Sequence, residues 1–132
     1  MAQTKETKTL VELLAEVQAE LKAPKGLRNN FGNYNYRSTE SILESVKPLL
    51  KSKGLLLTIT DDLVVLGDRY YVRAFASVEK GEDKITVSAY AREEENKKGM
   101  DSAQVTGATS SYARKYALNG LFLIDDTKDP VS

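Results

Sequence analysis

The stretch from Leu55 to Glu95, "LLLTITDDLVVLGDRYYVRAFASVEKGEDKITVSAYAREEE", constrains the fold most. Its side chains follow period two, while the segments on both sides follow the period of a helix. It is rich in Val, Ile, Thr and Tyr, and Gly-Asp near 67 and "KGED" near 81 punctuate it. Residues that suit a pleated surface, cut by two turn signals, predict three antiparallel strands at about 55–66, 69–79 and 84–94, joined as a meander. In the second, Tyr70, Val72, Ala74, Ala76 and Val78 alternate with Tyr71, Arg73, Phe75 and Ser77. The more apolar set faces helices, and Arg73 points out.

The flanks supply those helices. In "TLVELLAEVQAEL", Leu10, Leu13, Leu14, Val17 and Leu21 make one apolar stripe, Thr9 is the N-cap and Glu12 stands at the capping-box position. Pro24 and Gly26 end the helix. "KGLRNNFGNYNYR", Lys25 to Arg37, reads as a loop leading into a short strand. Ser38 or Thr39 then caps "ESILESVKPLLKSKG", in which Ile42, Leu43, Val46, Leu49 and Leu50 face inward and Gly54 closes the C-terminus. Pro48 inside that pattern predicts a kink or a frayed first half. A last helix is predicted from about Ser102 to Asn119, stopped by Asn119-Gly120, with "LFLI" as a short strand or docked segment. The order predicts an α+β fold: a three-stranded antiparallel meander plus a short strand, with helices packed on one face. At 132 residues the chain reads as one domain, 1–132, with 125–132 a short polar tail.

Composition excludes several chemistries. There is no cysteine, hence no disulfide, thiolate metal site or cysteine nucleophile, and no histidine, the usual base near neutral pH and the commonest metal ligand. No apolar run approaches a membrane span and the N-terminus has no signal-peptide layout, so a cytoplasmic protein is expected. Net charge is zero, but it is unevenly spread. From Lys22 to Lys53 seven basic residues face two acidic ones, and from Asp61 to Glu95 five basic face nine acidic. Such blocks make a polar surface with one attractive side, or scatter over different faces once folded.

The last helix carries the most unusual pattern. On a wheel of 100° per residue, Val105, Ala108, Thr109, Tyr112 and Tyr116 cluster as a core stripe. Gly107, Ser110, Arg114, Ala117 and Leu118 fall opposite, with Ser111 and Lys115 at the margin. A glycine inside a helix costs about 1 kcal/mol relative to alanine, so Gly107 needs a reason. Close approach of a phosphate backbone, with serine hydroxyls and the arginine fork as donors, is one. Tight packing of another helix or a second subunit is the other, and the two are compatible.

"QVTGATSSYARKYALNGLFLIDDTKD", Gln104 to Asp129, resembles the signature of the Erf family of phage single-strand annealing proteins: a Gly, a Ser-Tyr, paired basic residues, Tyr-x-Leu, an apolar stretch and an acidic cluster. "FGNYNYRSTESILESVKPLLKSKGLLL" is similar to the same family in its Tyr-x-Tyr-Arg-Ser entry into a helix and its Lys-x-Gly-Leu. The resemblance spans about Leu10 to Asp129, short of the longer C-terminal tail that many members carry. It implies an ATP-independent recombinase without cofactor or catalytic residues. Such a protein forms homo-oligomeric rings or helical filaments in the cytoplasm of a bacterial host and pairs complementary DNA strands. It also implies a distant likeness to eukaryotic Rad-type annealing proteins, whose core is a sheet with a crossing helix. Its implied partners are single-stranded DNA, the annealed duplex intermediate, and a phage exonuclease or host single-strand-binding protein, with no membrane.

Annealing requires free Watson–Crick edges, so contacts should favour phosphate and sugar. Arg114 and Lys115 match the family's basic pair and are the first candidates. Arg37 at the head of the second helix, and Lys25 and Arg28 in the loop before it, follow. Tyr36 is a base or sugar platform, or else a core tyrosine. Ser110, Ser111 and, more weakly, Thr106 are phosphate donors, while Lys47, Lys51 and Lys53 read as a solvated helix face. Two other classes remain. Glu95-Asn96-Lys97 with Asp83 has the spacing of a metal-dependent nuclease, but reads better as a charged turn, as Asp61-Asp62 and Asp125-Asp126 read as exposed turn and tail acids. An assembly module without DNA activity would use the Gly/Ser face only as a seam.

Overall fold

A computed structural model describes residues 7–21, 27–29, 34–36, 38–93 and 102–124. The elements run α1 (Leu10–Glu20), β1 (Leu27–Asn29), β2 (Tyr34–Tyr36), α2 (Thr39–Lys53), β3 (Leu56–Leu66), β4 (Arg69–Lys80), β5 (Asp83–Arg92) and α3 (Ser102–Phe122). β3, β4 and β5 form the expected antiparallel meander, with Ala74 of β4 opposite Asp61 on one side and Ala89 on the other. This is the α+β architecture that the order of periods predicts. The segment read as a loop and short strand contains a separate two-stranded hairpin, β1 with β2, in which Arg28 pairs with Asn35 and Leu27 with Tyr36.

Local signals set the helix ends. The Thr9 hydroxyl accepts from Glu12 N at 3.1 Å, and Thr9 N donates to Glu12 Oε1 at 2.9 Å, the reciprocal capping box. Ser38, not Thr39, caps α2, exchanging two 3.0 Å bonds with Ser41. Gly54 closes it in the left-handed conformation, φ 70°. α2 runs without a break through Pro48, and its first half is intact. Pro48 and Glu44 lie on the exposed side, where water can satisfy the carbonyl that proline leaves without a donor.

The core lies between the sheet and the three helices. Val72, Ala74, Ala76 and Val78 of β4 are buried against Leu10, Leu14 and Val17 of α1, Ile42, Val46 and Leu50 of α2, and Ala113, Ala117, Leu118, Leu121 and Phe122 of α3. Lys53 is not on a solvated face: its side chain is only 13% exposed and bridges Glu16 at 3.0 Å and Glu20 at 3.3 Å, joining α2 to α1. Gln18 ties α1 to α3 by donating to the Leu121 carbonyl at 2.9 Å.

α3 departs from expectation in two ways. It does not stop at Asn119-Gly120 but continues to Phe122, and Leu123 takes the left-handed position after it, φ 57°. Leu121 and Phe122 are therefore buried helix residues rather than a strand. Gly120 serves close approach: a Cβ there would sit 3.1 Å from Val87 Cγ1 of β5. The core stripe is also rotated. Tyr112 and Tyr116, placed on the core stripe by the helical wheel, are 57% and 47% exposed and stack on each other with centroids 6.3 Å apart. The buried side of α3 is Thr109, Ala113, Ala117 and Leu118, followed by Leu121 and Phe122, and it shares the core with Ala74 and Ala76 of β4.

Candidate nucleic-acid interface

Packing through alanines brings one polar flank of α3 down to the sheet. Asp61 shares a strand face with Leu57 and Ile59, so its carboxylate points to the helix side rather than into a turn. Arg114 meets it: Nε lies 3.0 Å from Oδ1 and 3.2 Å from Oδ2. Ser110, one turn earlier, donates to Asp61 Oδ2 at 2.5 Å. One turn earlier again, Thr106 donates to Glu93 Oε2 at 2.8 Å, just past the end of β5. Three of the expected phosphate donors thus each end on a carboxylate of the same chain.

The Arg114 side chain is 40% exposed and that of Asp61 22%. A pair this open to water contributes about 0.2–1 kcal/mol, little enough to be rearranged by a stronger anion. It engages Nε, and the two Nη groups make no hydrogen bond to a described residue. The guanidinium can therefore keep Asp61 and offer its outer fork to a phosphate.

The second half of the candidate set arrives by way of α2. Thr39 donates to the Ser111 carbonyl at 2.9 Å, docking the N-terminus of α2 against the middle of α3. Arg37 and Tyr36 immediately precede that terminus in sequence. Ser111 is exposed, and Lys115 is half-buried with an interaction of its own. Arg28 lies in β1 and Tyr36 in β2; their side chains, like Lys25 and Arg37 altogether, lie outside the described residues, as do Glu95-Asn96-Lys97 and Asp125-Asp126. Gly107 is exposed, and a Cβ there would meet nothing within 4 Å, so nothing in the described chain accounts for a glycine at this place.

On the opposite sheet face, a cluster that sequence reading passed over surrounds Arg73. Arg73 does point away from the helices, but it is not solvated freely. Its Nη2 lies 3.3 Å from Asp62 Oδ2 and its Nη1 donates to the Tyr90 hydroxyl at 3.1 Å. The guanidinium carbon lies 4.9 Å from the Phe75 ring centre and 5.6 Å from that of Tyr90. Tyr71 meets Tyr90 edge to face, centroids 6.4 Å apart. The hydrogen bond that Arg73 donates to Tyr90, then the one to Asp62, holds the Arg73 pKa above its ordinary value. Asp62 and Asp61 are neighbours inside β3, so they serve opposite faces of the sheet. Both pairings were open to sequence reading, since an acid inside a period-two strand needs a cation on its own face.

Among the described residues, no helix is long and apolar enough to cross a membrane, and no group of three or more acids could hold a metal ion. No solved structure matches the chain. It is 67% identical over 116 residues to the essential recombination function protein of Salmonella phage P22. That alignment covers 88% of this chain and 56% of the relative, so the chain spans little more than half of the relative's length. The model of the ERF superfamily matches residues 10–131, nearly all of the sequence whose motifs resemble that family, and the chain belongs to the ERF superfamily.

Proposed function

We propose that this chain is the strand-annealing part of a phage recombination protein. It binds single-stranded DNA by the sugar–phosphate backbone and pairs complementary strands without ATP, cofactor or any covalent step. The observation that carries this reading is the Thr39–Ser111 hydrogen bond. It gathers two stretches far apart in sequence, the entry to α2 and the Ser110–Arg114 flank of α3, onto one side of the molecule. Arg37, within the basic surplus from Lys22 to Lys53, directly precedes that entry to α2 in sequence. Donors on a helix flank and at a helix N-terminus suit phosphate and leave base edges free. The recombination role in the name of the P22 relative supports the same reading.

A net charge of zero favours cooperation among copies, each adding one basic side to a shared track. Exposed Leu63, Val65, Tyr70, Tyr112 and Tyr116, together with the open Gly107, support assembly into a homo-oligomer, ring or filament. It would work in the cytoplasm of the host, beside an exonuclease that makes single strands or a protein that coats them.

The test is annealing of two complementary labelled oligonucleotides, followed by fluorescence transfer without nucleotide, alongside sedimentation. Acceleration by a large assembly is expected. A protein that stays monomeric at micromolar concentration, or that binds no oligonucleotide at low salt, overturns the proposal.

A further inference from the structure

Among the described residues, no helix packs on the sheet face turned away from α3. Along β5 its outward residues Lys84, Thr86, Ser88, Tyr90 and Arg92 are all exposed. Alternation places Arg69, Tyr71, Arg73 and Phe75 of β4 beside them on the same face. Register makes a chequered pattern of these side chains: Tyr71 stands opposite Arg92, and Arg73 opposite Tyr90. Aromatic rings and guanidinium groups therefore alternate both along the strand and across it.

The charge of this face differs from that of the whole chain. It carries four cations, Arg69, Arg73, Lys84 and Arg92, against two acids, Asp62 and Glu79, a surplus of two where the chain has none. Asp62 is bonded to Arg73, and Glu79 stands directly opposite Lys84. Arg69 and Arg92 have no acid partner among the described residues. The Nε atoms of Arg69 and Arg73 are shielded from solvent without a hydrogen-bond partner, the posture of guanidinium groups lying flat on their neighbours. The Arg73 contacts fix the Tyr90 ring by its hydroxyl and leave it 47% exposed.

We propose that this face is a second surface for single-stranded DNA, on which Tyr90 stacks a base while Arg69 and Arg92 hold the flanking phosphates. Unpaired bases offer a π-face to a fixed ring, and sequence does not matter because every base has one. A duplex offers only phosphates and base edges, and a protein partner calls for an apolar centre rather than a charged one. Stacking also leaves the Watson–Crick edge of the base free, which fits pairing with a second strand. The inference rests on the reading of the chain as a single-strand binder, and it adds a face that the α3 flank does not share.

The test is fluorescence anisotropy of a labelled oligothymidine with the full chain and with Tyr90→Leu, Tyr90→Phe and Arg92→Ala, each checked for folding by circular dichroism. Tyr90→Leu should weaken binding about fivefold or more, and Tyr90→Phe, which keeps the ring, should stay close to the parent. Arg92→Ala, at an exposed position, should lower the log–log salt slope by about 0.7. If the parent binds while Tyr90→Leu and Arg92→Ala bind equally well with the parent's slope, this face is not a DNA surface and the α3 reading stands. If the parent itself fails to bind at low salt, both readings fall together.

Discussion

Replacing Asp61 by asparagine isolates what Arg114 does. Asparagine keeps the shape: its Oδ1 can accept from Arg114 Nε while its Nδ2 donates to the Ser110 hydroxyl, so the flank keeps its contacts while one negative charge is removed. The pair is part-exposed, and its loss should cost at most about 1 kcal/mol, a few degrees in Tm. The effect on DNA should have the opposite sign. A phosphate on the outer fork of Arg114 would sit about 6 Å from the Asp61 carboxylate, taking the 3.0 Å Nε contact, the width of the guanidinium and one further hydrogen bond. At that separation the repulsion removed is about 0.7–1.4 kcal/mol for an effective dielectric of roughly 80 to 40. Single-strand affinity should therefore rise about three- to tenfold at low salt, with the gain shrinking as salt is added. Arg114→Ala should do the reverse and lower the salt slope by about 0.7. Anisotropy titrations across salt concentrations measure both. If Asp61→Asn leaves affinity unchanged and Arg114→Ala leaves the slope unchanged, Arg114 only docks α3 to the sheet, and the reasoning about its outer fork is wrong.

Other outcomes follow from the fold. Ala117→Leu should destabilise by about 1–3 kcal/mol in denaturant melts, because it overfills a fully buried seam, whereas Tyr116→Ala should stay within about 0.5 kcal/mol; equal effects would restore the tyrosines to the core. Glu16 is held below the ordinary carboxylate range by its hydrogen bond from Lys8 and then that from Lys53. Its contribution to stability is full above the unfolded glutamate value, about 4.3, and is lost as pH falls through the lowered folded value. Lys53 is raised chiefly by Glu16, so its contribution is present below the unfolded lysine value, about 10.4, and is lost as pH rises through the raised one. Glu16→Gln should flatten both ends of a Tm-against-pH profile, and an unchanged profile would mean that the bridge between α1 and α2 adds nothing.

What the sequence made legible was local. Strand positions followed from period two, and helix ends from Thr9, Ser38 and Gly54, each of which acts on neighbours a few residues away. The orientation of α3 was not legible, because Thr109, Ala113, Ala117 and Leu118 are buried while two tyrosines face outward. The wheel points the wrong way there; the buried side shares the core with Ala74 and Ala76 on another element. Asn119-Gly120 carries a genuine stop signal, overridden because Leu121 and Phe122 gain burial and Gly120 gains contact with Val87. The candidate donors Ser110, Arg114 and Thr106 were read from one helix, but their carboxylate partners Asp61 and Glu93 lie in β3 and just past β5, 49, 53 and 13 residues away in the chain respectively. A wheel of a single helix has no means of showing them.

The seam of Ala74, Ala76, Ala113, Ala117 and Gly120 separates two kinds of tolerance in this molecule. Small buried side chains line this part of the packing between α3 and the sheet, while Asp61 and Glu93 are bonded at the polar flank. Substitutions on the wet side of α3 can therefore retune chemistry while the scaffold stays put, whereas added bulk in the buried seam must be absorbed by the packing that positions the exposed groups of the helix.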